Sequence, residues 1–255
     1  MKNWTVSVDF LNGIGIKMQK SSTAVMLTCG RSDFFVIQCV PMIKGFIFDL
    51  DGTVLDTVAD INFNLNRTLG TFFTDEQCKM FVGNGLKNCM KNAMESVGMN
   101  LENLQENYEK LIANYSECPV KYTRPYEGVV DFLEYLKNRN IAVGIFSNKK
   151  HDLAVRVVEE CLEMIDFDFI CGRDYLYAPK PDPQAVFAFC EQIHATKDEI
   201  VYVGDSEVDN LCAVNANVKH YILTWGSRSR DYLVSHGVCE NCLVDSMDEI
   251  RIREF

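Results

Sequence analysis

Two carboxylates stand two residues apart in Phe48-Asp49-Leu50-Asp51-Gly52-Thr53, at the end of an apolar run and directly before a glycine and a threonine. Such a segment reads as a strand ending in two acids that meet near one point at the sheet edge. Buried together without a cation, they could not both be ionised. Aspartate is also an ordinary residue of a strand-to-turn junction, so further residues have to decide what the pair does.

Those residues follow in order, each at or just past an expected strand end. Ser147-Asn148 comes first, then Lys180 within Pro179-Lys180-Pro181, then Gly204-Asp205-Ser206-Glu207-Val208-Asp209. Each has a plain reading of its own: a helix N-cap for the serine, a solvated lysine, a turn for Gly-Asp. An acid pair, a hydroxyl, a lysine and a further acid at the same end of one sheet are harder to explain separately.

The elements that must position them can be read from periodicity. Short apolar runs predict strands at 45–50, 141–146, 167–171, 200–203 and 220–224, and apolar residues three and four apart predict helices at 126–138, 150–164, 183–194 and 207–215. Strands alternating with helices predict an α/β fold with a parallel sheet flanked by helices. Roughly 90 residues separate the first two strands, too many for a structureless loop, and most of them read as helix at 58–69, 75–82, 86–97 and 102–115. Residues 57–124 are therefore expected to form an inserted helical cap domain, with 43–56 and 125–255 making the core. An insertion at a strand carboxyl end lies where open α/β sheets place ligands, so the cap is expected to act as a lid. Residues 1–42, short apolar patches among Gly, Ser and Lys, read as an extension of short strands or loose chain.

Composition narrows the classes. The 255 residues are 47% hydrophobic and 24% charged, with 15 Gly and 6 Pro, which excludes collagen-like, low-complexity and disordered chains. A net charge of −11 disfavours nucleic acid and anionic membranes as partners. No apolar run approaches the roughly 20 residues of a membrane span, and the start lacks an export signal. The 11 cysteines, an odd number, suit reduced thiols and a cytoplasmic location. Cys239 and Cys242, with His236 nearby, form a C-x-x-C without the second pair a zinc site needs. No phosphate-binding glycine fingerprint is complete, which removes the usual nucleotide-binding classes.

The four segments, in this order, resemble the haloacid dehalogenase (HAD) superfamily of phosphohydrolases, in the branch with a helical cap after the first strand. The resemblance covers about 43–250. It is closest to phosphoglycolate phosphatases through Val82-Gly83-Asn84-Gly85, Ser147-Asn148-Lys149, Lys180-Pro181 before Asp182-Pro183, and Thr224-Trp225-Gly226. The resemblance implies a HAD-like Rossmannoid core and a Mg2+ ion held by Asp49, Asp205 and the backbone carbonyl of Asp51. It implies Asp49 as nucleophile, Asp51 as general acid and base, and Lys180 as the cation between nucleophile and phosphate. Thr53, Ser147 and Asn148 are expected to bind substrate in the core, and Gly83, Asn84 and Gly85 in the cap. Asp209 is expected to orient metal-bound water or Lys180 from behind.

Charge shows why cations are needed: a carboxylate about 4 Å from a phosphate dianion meets roughly 8 kcal/mol of repulsion at an effective dielectric near 20. Asp49 would form an aspartyl phosphate, dividing one hard displacement into two, while a protonated Asp51 serves the leaving alcohol and then takes a proton from water. The expected partner is a small phosphorylated metabolite, 2-phosphoglycolate being the first to try, on a monomer or homodimer. A sugar phosphomutase would use the same Asp49 while excluding water. A dehalogenase has no need of Asp51 and Asp205. A phospho-acceptor signalling domain gathers similar groups but lacks the Asp-x-Asp-Gly-Thr spacing and the helical insertion.

Overall fold

The computed structural model describes residues 16–20, 24–29, 33–38, 42–83 and 85–255, in two units divided at Met42 and Ile43. In the first unit, β1 (Ile16–Lys20), β2 (Ala24–Cys29) and β3 (Asp33–Gln38) form an antiparallel meander. Each strand pairs with the next, Ile16 opposite Cys29 and Ala24 opposite Gln38.

The second unit is built on β4 (Gly45–Phe48), all four residues of which are buried. The chain leaves it through β5 (Leu55–Asp56), returns through β6 (Arg124–Pro125), and continues into β7 (Ala142–Lys150), β8 (Phe169–Arg173), β9 (Ile200–Gly204), β10 (Lys219–Leu223) and β11 (Leu243–Val244). Six of these strands make a parallel sheet in the order β11-β10-β9-β4-β7-β8. The path from β4 runs to β7 on one side and later to β9 on the other, so the order of winding reverses at the carboxyl end of β4, the ligand position of such sheets. Phe48 pairs with both Ile145 and Val203, which brings the residues after each strand abreast.

Side-chain alternation explains the two layers. Phe46 and Phe48 face one way, against α5 (Val129–Lys137), α6 (His151–Cys161) and α10 (Met247–Glu254), in a cluster with Phe132, Val157 and Ile250. Phe132 meets Phe46 edge-on at 5.5 Å. Ile47 faces the other way, with Tyr202, against Val186 and Phe189 of α7 (Gln184–Gln192) and Ala213 of α8 (Glu207–Ala216). Each such side chain stabilises the fold by about 1.5–3 kcal/mol on burial.

Between β5 and β6 lie α1 (Val58–Leu69), α2 (Asp75–Phe81), α3 (Leu86–Ser96) and α4 (Leu104–Glu117). They surround an apolar cluster that includes Leu65, Phe81, Met90 and Leu111 and is joined by Leu153 of α6. The β5–β6 ladder pairs Leu55 with Pro125 and Asp56 with Arg124. Asp60 fastens the return: its Oδ2 accepts the N–H groups of Lys121 and Tyr122 at 3.0 Å, that of Thr123 at 2.8 Å and the Thr123 hydroxyl at 2.6 Å.

Two local expectations are corrected, and one region without an expected element gains three. The strand expected to end at 146 runs on to Lys150, with an irregularity after Phe146, so Ser147 and Asn148 lie within β7 rather than beyond it. Their polar side chains suggest a loop by composition, yet both are buried and hold the chain extended. The helix expected at 150–164 spans His151–Cys161. The region after 224, left unassigned by periodicity, contains β11, α9 (Arg230–Ser235) and α10. Among the described residues, no helix is long and apolar enough to cross a membrane.

Candidate active site

Asp49 is the first residue beyond β4, and its N–H donates to the Val203 carbonyl at 2.8 Å. The chain then turns back sharply, with the N–H groups of Val54 and Leu55 both donating to the Leu50 carbonyl. Gly52 makes that turn at φ +90°, and a Cβ there would lie 2.5 Å from Asp205 Oδ2. Only glycine allows both the conformation and the approach.

Lys180 arrives from the loop between β8 and α7. Asn148 holds that loop through both main-chain groups of one residue: its Nδ2 donates to the Lys180 carbonyl at 3.2 Å, and its Oδ1 accepts the Lys180 N–H at 2.9 Å. The ammonium reaches Asp49 Oδ1 at 2.5 Å and Asp209 Oδ1 at 2.7 Å. Burial opposes its charge, but Asp209 and Asp49 outweigh that and raise its pKa above the ordinary lysine value.

Asp205 follows β9, and Asp209 lies one helical turn later on α8. Asp205 Oδ1 accepts the Thr53 hydroxyl at 3.3 Å, and Oδ2 accepts both the N–H and the hydroxyl of Ser227 at 2.9 Å. Asp209 takes Lys180 and the Tyr202 hydroxyl (2.8 Å) on Oδ1 and the Ser206 N–H and hydroxyl on Oδ2. Burial works against the charge on Asp209, but Lys180 and the bonds from Ser206 and Tyr202 hold its carboxyl below the usual range. Burial pushes Asp49 well up, against the pull of Lys180, and pushes Asp205 up to about 6 with help from the Asp209 charge.

These directions reveal a shortage of positive charge. Asp49, Asp205 and Asp209 bring carboxylate oxygens within 4.8 Å of one another, and Lys180 balances one of them. The donors are hard oxygens, the type a small divalent cation prefers, so the residues present fit a Mg2+-type ion. Among the described residues no other cluster of three potential ligands forms, at Cys239 and Cys242 or elsewhere.

A cavity of about 40 Å³ opens on these groups. Asp49, Asp51, Ser147, Lys149, Lys180 and Asp205 line the side formed by the sheet, and Val82, Gly83, Gly85 and Leu86 the side formed by the helices between β5 and β6. Asn84 lies outside the described residues. Asp209 and Thr53 stand behind the lining and bond to Lys180 and Asp205. Ser147 accepts the Lys149 N–H on its oxygen at 3.1 Å.

A model of the haloacid dehalogenase-like hydrolases matches residues 46–223, which contain all four segments of this site. The chain belongs to the haloacid dehalogenase-like hydrolase family. It is 28% identical over 186 residues to the phosphoglycolate phosphatase of Aquifex aeolicus, covering 71% of this chain and 84% of that one. To the phosphoglycolate phosphatase of Agrobacterium fabrum it is 31% identical over 188 residues, with 71% and 80% covered. A crystal structure from Lactobacillus delbrueckii subsp. bulgaricus superposes with a TM-score of 0.74 at 27% identity, covering 84% of this chain and 99% of that one.

In this haloacid dehalogenase-like hydrolase, the contacts of three residues lay beyond sequence reasoning. Lys149, noted in the sequence only as part of Ser-Asn-Lys, places its buried ammonium 2.8 Å from Asp51 Oδ1 and 3.0 Å from the Tyr115 hydroxyl of α4. Burial opposes that charge, yet Asp51 and Tyr115 raise the lysine pKa above its ordinary value. Ser227 seats Asp205, and Tyr202 seats Asp209 from within β9. The one available signal for Lys149 was its place directly after Ser147-Asn148, beyond the apolar run 141–146.

Proposed function

We propose that this hydrolase is a phosphatase that cleaves small phosphate monoesters, with 2-phosphoglycolate the first substrate to test, through an aspartyl phosphate on Asp49. One observation carries the reading: Asp49 faces the cavity with Lys180 at 2.5 Å and Asp205 close by. A nucleophilic carboxylate needs that density of positive charge to approach a phosphate dianion.

Asp49 attacks phosphorus, the P–O bond to the alcohol breaks, and Asp51 gives the departing oxygen a proton. Lys149 holds Asp51 through Oδ1, so Oδ2 is the oxygen assigned to that proton. Water then attacks the aspartyl phosphate and passes a proton to Asp51, which frees Asp49 and phosphate. Lys180 and Ser147 steady the phosphoryl oxygens, and Asn148 acts by fixing the Lys180 main chain. Asp49, Asp205 and the Asp51 carbonyl would hold Mg2+, which supplies charge neutralisation to the phosphoryl group when bound. Asp209 and Thr53 keep Lys180 and Asp205 in place.

The kinship with phosphoglycolate phosphatases supports the substrate class, and the small cavity supports a compact ester. The free cysteines fit a reducing, cytoplasmic setting. The test is phosphate release from a panel of phosphorylated metabolites with Mg2+, with Asp49→Asn as the control. Full activity in Asp49→Asn would remove the nucleophile and this reading with it.

A further inference from the structure

The loop after β10 joins the acid cluster to the cap through two neighbouring residues. Ser227 bonds Asp205 Oδ2 through both its N–H and its hydroxyl. Arg228, the next residue, turns the opposite way, and its side chain is only 11% exposed. Its Nε donates to Glu207 Oε2 at 3.3 Å, so the α8 carboxylate aims the guanidinium. Its two terminal nitrogens cross to the cap, Nη1 to the Lys79 carbonyl at 3.2 Å and Nη2 to the Val82 carbonyl at 2.7 Å. Those carbonyls lie at the end of α2, where the last turn leaves acceptors without helical partners.

The cap turn is shaped to receive this side chain. Gly83 has φ +117°, and a Cβ on it would lie 2.4 Å from Arg228 Nη2. Any other residue there would be strained and would displace the guanidinium. Val82 and Gly83 also line the reaction cavity, so the position of this turn sets how much room the cavity has. A planar, multi-donor cation is suited to holding two carbonyls and a carboxylate at once, which a lysine could not do.

We propose that Arg228 is a positioning residue that latches the turn at Val82 and Gly83 over the phosphate site, restricting the cavity to compact phosphate monoesters. Ser227 and Arg228 are consecutive, so the seat of Asp205 and the latch belong to one loop. The selectivity claim rests on the phosphatase reading above; the latch itself does not.

Steady-state kinetics on 2-phosphoglycolate and on the bulkier p-nitrophenyl phosphate, with Mg2+, test the selectivity. Arg228→Ala is expected to raise KM for the compact ester about tenfold, the loss of roughly one charged hydrogen bond, with kcat changed much less and kcat/KM for the aryl ester maintained or increased. Equal losses on both esters, or no change on either, would overturn the proposal. Glu207→Gln, a milder change that leaves Nε an acceptor but removes its charge, is expected to shift selectivity the same way by a smaller factor, and an unshifted ratio would count against the latch. Amide hydrogen exchange reads the latch without catalysis: Arg228→Ala is expected to speed exchange at 79–85 while β4 and β9 stay protected. Unchanged exchange at 79–85 refutes the latch. Absence of phosphatase activity in the unaltered protein would instead refute the functional reading.

Discussion

Lys149 and Asp51 form an ion pair at 2.8 Å in which the lysine side chain has no exposure to solvent, and Tyr115 of the cap shares the ammonium at 3.0 Å. The lysine also lies 4.6 Å from the centre of the Tyr115 ring. The acid assigned to the leaving group is thus held by a residue whose other partner lies on α4, among the helices inserted between β5 and β6.

Replacing Lys149 tests that arrangement. Lys149→Met keeps most of the volume and removes the charge, so Asp51 loses its fixed orientation. Because general acid catalysis is worth roughly 10²–10⁴-fold, partial misplacement of Asp51 should lower turnover of alkyl phosphates about ten- to a hundredfold. Aryl phosphates, whose leaving groups need little protonation, should lose much less. Wild-type turnover of alkyl phosphates in Lys149→Met would exclude the assigned role.

Metal binding should be linked to pH. Burial, then the Asp209 charge, raises Asp205 to about 6, whereas an unfolded aspartate titrates near ~3.9. Asp49 is shifted the same way, chiefly by burial. Between about pH 4 and 6 the metal-free folded protein therefore binds more protons than the unfolded chain, and these groups lower stability as pH rises through that window. A divalent cation competes with those protons and removes the penalty. Thermal melts with and without Mg2+ should show a larger rise in Tm at pH 7.5 than at pH 5. An equal or smaller rise at pH 7.5 would contradict the assigned acid cluster.

Asp60 governs the return of the cap to the core. Burial opposes its charge, but the Thr123 hydroxyl and the N–H groups of 121–123 overcome this and hold its pKa below the ordinary value. A depressed acid stabilises the fold above its unfolded pKa and loses that contribution as pH falls through the folded one. Asp60→Asn should cost about 2 kcal/mol near neutral pH, the scale of charge-assisted hydrogen bonds. Denaturant unfolding should show the gap between variant and parent narrowing below about pH 4. A gap that stays constant, or widens, in acid would show that the charge is not what holds the turn.

Much of the architecture was legible because its signals are local. Alternation in Gly45-Phe46-Ile47-Phe48 and three- and four-residue spacing in 58–69 depend on neighbours within one turn or one pleat. Parallel topology follows from alternating strands and helices, and it brings Asp49, Lys180 and Asp205 to one sheet edge. Boundaries were less legible where side-chain contacts decide them. Ser147, Asn148 and Lys149 read as the start of a loop, and they remain in β7, where Asn148 and Lys149 find buried partners on other segments.

By itself, the sequence determined the order of elements, the helical insertion and the residue types able to handle a phosphate. Only the tertiary structure decided which of those residues meet. Lys149 and Asp51 are 98 positions apart, and Arg228 and Val82 are 146 apart, so no periodicity couples them. Their pairing depends on which cations reach a buried carboxylate or an unpartnered carbonyl once water has been displaced, where each unmatched group is costly. That condition exists only after the layers have packed.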